Sequence, residues 1–288
     1  MPLSYRQLGQ PIVESLTLPQ VKQQVFRGAD FVDDDALLTG LIIAARQYVE
    51  KKMNRAIFNR PALLARDFFP FPDFDSTKGP RRVLPFYSGF WEQLAIRLPY
   101  GEAQSVESVS FLDNSNTRVT LPPDAYIVDT LSEPCRIFPA SLLFWPWFQN
   151  FNPNNILINF TAGSFNNLVT DTLVVSDGSV TISKAAELSA GPLLLTSAIT
   201  LVDSNSNPVP FVNNSGVLTV TGPASGATLT STYYVGQCPQ PIIQAMLLTI
   251  SFFYNNRDAA VQNPPKAIEM GVDALLAPYI FESFGWEY

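Results

Sequence analysis

Apolar positions along the chain change period several times, and each change predicts a different kind of element. Thr17-Leu18-Pro19-Gln20 has the form of a capping box with proline early in the first turn, predicting a short helix to about Phe26. Leu37, Leu38, Leu41, Ile42, Ala45, Tyr48, Val49 and Met53 then recur with helical spacing, the mark of a longer amphipathic helix. Asp33-Asp34-Asp35 precedes it and reads as its cap, with carboxylates accepting orphan amide hydrogens, in preference to a cation site. Ile43 lies off the main stripe and, with Gln47, marks a second face for a neighbouring protein.

Over 61–163 the pattern becomes short apolar runs between turn clusters such as Asp113-Asn114-Ser115-Asn116. Strands are expected over 94–98, over 106–111 and 126–128 around a hairpin, and over 155–161, closed by Ala162-Gly163. From 164 to 236 the charge thins to four acids and one lysine, and Ser, Thr, Val, Leu and Asn dominate. Alternation over 170–175, 179–183, 193–202, 216–221 and 227–234 predicts a small all-β domain. Val109-Ser110-Phe111-Leu112-Asp113 and Ile199-Thr200-Leu201-Val202-Asp203 match in pattern, and each leads into a Ser/Asn turn. That pairing is open to two readings, a duplicated β unit or two hairpins with similar turn chemistry.

Helical pattern returns after Pro239 and Pro241, which a first helical turn tolerates. Residues 242–254 are apolar on every face, so they require cover from the chain's own core or from a neighbouring subunit. Ile243, Leu247 and Tyr254 join Ile43 and Gln47 as candidate subunit-interface residues. A cleaner stripe at Ile268, Val272, Leu275 and Leu276 predicts a last helix. The closing stretch holds Tyr279, Phe281, Phe284, Trp286 and Tyr288, an aromatic end that is costly to leave in water. It reads as a docking peptide or as a tail folded back on its own domain.

The expected class is α+β: N- and C-terminal helices packed together as one helical domain, a β-rich middle and an additional inserted all-β domain. The corresponding segments are 1–60, 61–163, 164–236 and 237–288.

Composition narrows the chemistry. The 288 residues are 47% hydrophobic, enough for a substantial core, and contain no histidine. That removes the commonest general base, the Ser–His and Cys–His pairs and most catalytic zinc sites, so neither an enzyme, a metal nor a cofactor is expected. Cys135 and Cys238 are the two cysteines, and free thiols are expected of them. The longest apolar run, 241–253, is far short of the ~20 residues of a membrane span, and no basic-then-apolar leader opens the chain, so a soluble, unprocessed protein is expected.

Charge is lopsided: residues 1–98 carry thirteen Lys+Arg against ten Asp+Glu, and 99–288 carry five against fifteen, giving −7 in all. Such a surplus argues against avid nucleic-acid binding. Lys51, Lys52, Arg55 and Arg60 form the single basic cluster, read as a solvated helix end or as a contact for DNA or an acidic partner. Phe144-Trp145-Pro146-Trp147-Phe148 could stack on sugars, although aromatics so dense favour a core or an interface.

Several of these stretches, in order, resemble tailed-phage head–tail connector (adaptor) proteins. The opening through Thr17-Leu18-Pro19-Gln20-Val21-Lys22, Asp33-Asp34-Asp35-Ala36-Leu37-Leu38 and the helix to Glu50 is similar to theirs, with Arg55-Ala56-Ile57 as the helix exit. Val106-Glu107-Ser108-Val109, Tyr126-Ile127-Val128-Asp129 and Phe160-Thr161-Ala162-Gly163 resemble the β part of longer members. Pro241-Ile242-Ile243-Gln244, Phe253-Tyr254-Asn255-Asn256-Arg257-Asp258 and 272–279 resemble the last two helices. The likeness covers 17–163 and 237–280 and departs from the pattern at 164–236.

The resemblance implies a structural virion protein of the neck, assembled in the host cytoplasm. It would form a ring, twelve copies in the family, attached to the portal protein and to tail or neck proteins, with DNA passing through the lumen without sequence-specific binding. The portal would be gripped by Tyr279, Phe281, Phe284, Trp286 and Tyr288. The resemblance says nothing of 164–236; its low charge and many Ser, Thr and Asn residues predict an outward-facing position, bracing neighbours or contacting the major capsid protein. Two rivals from other classes remain. One is a carbohydrate- or receptor-binding β module; the other is a carboxylate-only hydrolase using acids such as Asp73, Asp75, Glu102 or Asp124.

Overall fold

A computed structural model describes residues 4–28, 30–70, 94–140, 145–146, 152–190, 194–195, 197–214, 217–256 and 266–281. The chain is mixed α+β, built around three separate apolar clusters. None of the helices among the described residues is long and apolar enough to cross a membrane.

The helical cluster gathers the two ends of the chain. Helix α1 (Leu18–Gln24) opens as expected, with the Gln20 side chain reaching back to accept the Thr17 N–H at 2.9 Å. Helix α2 (Asp35–Met53) buries Leu38, Ile42, Ala45, Val49 and Met53 of the predicted stripe, leaves Leu41 and Tyr48 half-buried and Leu37 exposed, and stops at Asn54 in the left-handed conformation. The aspartate triplet does not cap it: Asp34 occupies the N-cap position with no side-chain cap hydrogen bond. Tertiary partners outcompete the local amides, since Asp34 accepts a hydrogen bond from the Tyr254 hydroxyl and Asp35 pairs with Lys22 at 2.7 Å. Helix α4 (Gln240–Asn255), the segment apolar on all sides, packs on α1, α2 and α5 (Lys266–Leu276), so much of its cover comes from its own chain.

The first β unit runs from β2 (Arg60–Arg66) to β8 (Ile156–Ala162). Between them lie β3 (Ile96–Arg97), β4 (Ala103–Leu112), β5 (Arg118–Thr120), β6 (Tyr126–Asp129) and β7 (Arg136–Pro139). The N-terminal strand β1 (Ser4–Gln7) completes one antiparallel sheet in the order β1-β2-β8-β4-β5, and a second sheet runs β3-β7-β6. One expected pairing is corrected here. The hairpin partner of β4 is the short, exposed β5, and Tyr126 begins a separate hairpin with β7.

The second unit comprises β9 (Asn166–Val174), β10 (Ser179–Thr181), helix α3 (Ala185–Ala190), β11 (Leu194–Leu195), β12 (Thr200–Asp203), β13 (Phe211–Asn214), β14 (Val217–Val220) and β15 (Thr228–Gly236). It encloses its own core around Leu201, Leu218, Leu229, Tyr233 and Val235. Its wiring is that of the first. β15 lies antiparallel between β9 and β12 as β8 lies between β2 and β4, and β10 pairs with the β13–β14 hairpin as β3 pairs with β6–β7.

The turn after β4 and the turn after β12 agree bond for bond. Asp113 N–H donates to Thr117 O at 2.9 Å, and Asp203 N–H to Asn207 O at 2.9 Å. Each carboxylate accepts the N–H two and four residues on, at 2.8 and 2.9 Å in both turns. Asn116 and Ser206 take the left-handed conformation at the same place, with φ of 59° and 63°. A shared strand order and a shared turn geometry favour the duplicated-unit reading over coincident turn chemistry.

The units meet at Gly163. A Cβ there would stand 2.5 Å from Asn59 Oδ1 and 2.4 Å from Asn166 Nδ2, so only glycine permits the approach. Gly163, Ser164 and Phe165 donate backbone bonds to Glu102, Ala56 and Ile57 respectively, rooting the second unit on the α2–β2 connection. Its first and last residues, Asn166 and Gly236, stand directly opposite each other across β9 and β15.

Candidate assembly surfaces

The buried charges are structural. Glu50, in the last turn of α2, accepts from Arg46 at 3.0 Å, from Arg60 at 2.8 Å and from the Ile57 N–H at 2.9 Å. Arg46 also holds Glu14 at 2.8 Å, and Arg60 lies over the Tyr100 ring at 4.9 Å. This cluster bolts the helical core to the first strand of the β unit. It also corrects Arg60 as a surface contact, because its side chain is 1% exposed and spent on Glu50. The rest of the basic cluster is largely neutralised: Lys52 pairs with Asp273 and Arg55 with Glu133, while Lys51 is exposed. Asp273 holds the Lys52 ammonium above its ordinary pKa.

Of the expected subunit-interface residues, Ile43 and Gln47 are exposed one helical turn apart on α2. Ile243 and Leu247 line an open groove of about 490 Å³ between α1 and α4, together with Gln20, Gln23, Gln24, Gln240 and Gln244. Phe26, left-handed at φ 57° and 96% exposed, stands at the same groove. Tyr254 is internal instead: its hydroxyl accepts from Arg27 Nε at 2.8 Å and donates to Asp34. This bond is also the chief reason the Arg27 guanidinium is held above its ordinary pKa.

The aromatic tail begins fastened to its own chain. Tyr279, in the 3₁₀ turn Ala277–Tyr279, meets the Phe165 ring edge to face at 6.0 Å. Phe281 donates its N–H to Met53 O at 2.8 Å, and its ring lies 5.8 Å from the Arg55 guanidinium. Phe284, Trp286 and Tyr288 lie outside the described residues.

Of the residues behind the rival readings, the described ones are few. Trp145 is core: it stacks on Phe69 at 4.8 Å and 5°, and its indole N–H donates to Leu94 O at 2.7 Å. Phe144, Trp147, Phe148, Asp73 and Asp75 lie outside the described residues. Glu102 sits beside Arg55 and Glu133, its carboxyl raised chiefly by burial, whereas Asp124 is exposed in the 3₁₀ turn Pro123–Ala125. Among the described residues no three His, Cys, Asp or Glu side chains cluster as a metal site.

Sequence reasoning missed the Glu50 cluster and the Phe26 groove. The signal for the first was a glutamate ten positions before an arginine, flanking a helix stop.

No protein-family profile matches this sequence, and no curated protein matches it. Solved structures do. A chain from the neck of an empty gene transfer agent (GTA) particle, computed with C6 symmetry, superposes with a TM-score of 0.51 at 14% identity, covering 96% of this chain and 94% of that one. A chain from the virion of a native GTA particle gives a TM-score of 0.50 at 14% identity, again over 96% and 94%. At this identity the likeness establishes fold, and the matched span runs through 164–236, the segment that departs from the sequence resemblance. The chain is therefore similar in fold to chains of a phage-like particle and its neck, and at that level its resemblance to tailed-phage head–tail connector proteins is borne out.

Proposed function

We propose that this chain is a structural component of a phage-type neck, in which copies close into a ring that attaches to the portal protein and carries the tail, with DNA passing through the lumen. The observation that carries this reading is the fold shared with a neck chain along almost the whole length of both. Heterologous closure requires two unlike faces on each copy. Ile43 and Gln47 on α2 supply one candidate face, and the groove at Ile243 beside the exposed Phe26 supplies another. Tyr279 and Phe281 root the tail, leaving Phe284, Trp286 and Tyr288 to reach the portal as aromatic anchors. The acidic surplus and the internal pairing of Lys52, Arg55 and Arg60 suit a channel through which DNA slides without sticking. The second β unit faces outward in this reading.

Light scattering and negative-stain imaging of the purified chain, with and without portal protein, test the proposal. Rings, or monomers that become rings on portal, are the expected result. A monomer indifferent to portal at high concentration overturns it.

A further inference from the structure

The second β unit repeats the first without a counterpart of β1, and with the place of β5 reduced to a single bridge between Val202 and Pro208. In the first, the outer edge of β2 is covered by β1, with Ser4 to Gln7 running antiparallel to residues 62–65. β9 holds the equivalent place. It pairs with β15 along all nine of its residues and, among the described residues, with no other strand.

Val175 donates its N–H to Ala227 O, so strand alternation turns the N–H and C=O groups of Leu168, Thr170, Thr172 and Val174 away from β15. All four side chains are exposed, Leu168 at 55% and Val174 at 62%. Proteins usually protect such an edge with a lysine, a proline or a bulge. β9 has neither residue, and its register with β15 is unbroken. Its one charge, Asp171, is already satisfied by the Tyr233 hydroxyl at 2.8 Å and the Ser183 N–H at 2.8 Å.

We propose that the open edge of β9 receives an extended strand from a second copy of this chain, so that adjacent copies share a continuous sheet. The inference rests on the ring reading above. The first unit shows the form of the occupant, a short antiparallel strand. Charge points to its source. Each copy carries a net −7, and like-charged copies approach most easily where charge is absent. The outward face across β9, β15 and β12 presents Thr170, Thr172, Thr200, Thr230 and Thr232 with no charged side chain, while residues 99–288 as a whole carry five Lys+Arg against fifteen Asp+Glu.

Backbone hydrogen exchange on the full chain, dilute and assembled, reads the contact directly. The outward amides of β9, those of Leu168, Thr170, Thr172 and Val174, should exchange freely in the monomer and slow by at least about tenfold on assembly. Thr172→Pro removes one outward donor at a position where an edge strand tolerates proline, so it should fold but fail to assemble. Thr172→Lys, which keeps the donor and adds an edge charge, should assemble at least about tenfold more weakly. Rings with unchanged β9 exchange, or rings formed normally by both variants, would overturn this inference and leave the neck reading standing. Protection already present in the dilute monomer, or arising on portal protein without ring formation, assigns the edge to another occupant and overturns it too. Absence of rings both alone and with portal protein removes both readings.

Discussion

Replacing Glu50 by glutamine isolates the charge that joins the helical core to the first β unit. Glutamine keeps an oxygen for the Ile57 N–H, now at 2.9 Å, but gives up the negative charge facing Arg46 and Arg60. Arg46 retains Glu14 at 2.8 Å and Gln10 at 2.6 Å. Arg60 has no second carboxylate among the described residues and keeps the Tyr100 ring at 4.9 Å. Stranding a buried charge costs about 3–5 kcal/mol, and the retained hydrogen bond places Glu50→Gln near 3 kcal/mol. For a chain of this size each kcal/mol moves the melting midpoint by roughly 2–4 °C, so a fall of about 6–12 °C is expected by calorimetry. Adding Arg60→Met removes the stranded guanidinium and should restore part of the loss. A single variant that melts within about 2 °C of wild type would refute the reasoning, as would a double variant no more stable than Glu50→Gln.

Truncation after Phe281 should leave the melting midpoint unchanged, since the anchoring contacts of Tyr279 and Phe281 survive, and should abolish portal attachment in a pull-down. Truncation before Tyr279 should lower the midpoint as well, which separates anchor from grip. Asp113→Ala and Asp203→Ala each remove the same pair of backbone acceptor bonds, so they should destabilise to similar extents in urea titrations. Both thiols are buried, and burial pushes Cys238 up to about 12. A thiol reagent at neutral pH should therefore find neither in the native protein and both after denaturation.

The helices were legible because their stripes answer to a core the same helices build. Thr17 with Gln20 and the run from Leu38 to Met53 needed only local spacing. Asp34 misled because a tertiary hydroxyl, Tyr254, 220 residues away, competes for its carboxylate. In the β units existence was easier to read than pairing: β5 is a mere three residues and all exposed, too short for alternation to register. The alternation over 193–202 runs on without a break, yet the stretch divides into β11 and β12, and β13 at Phe211 has no alternating pattern. The repeat itself was faint because the inward positions have drifted in chemistry, with Ser231 buried in β15 where β8 offers isoleucines. Arg60 could not be recognised as internal, since its partner sits on the preceding helix.

Asn166 and Gly236 stand opposite each other on neighbouring strands, so the chain leaves the helical body and returns to it through a gap of about 5 Å. A linker of one or two residues would span that distance. The whole stretch between them is thus a cassette, which can be lost or exchanged while Phe165 and the start of α4 keep their places. Genetic change at a doorway this narrow tests chiefly the doorway, and the body behind it gives up little more than the packing of Leu194 on the helical core.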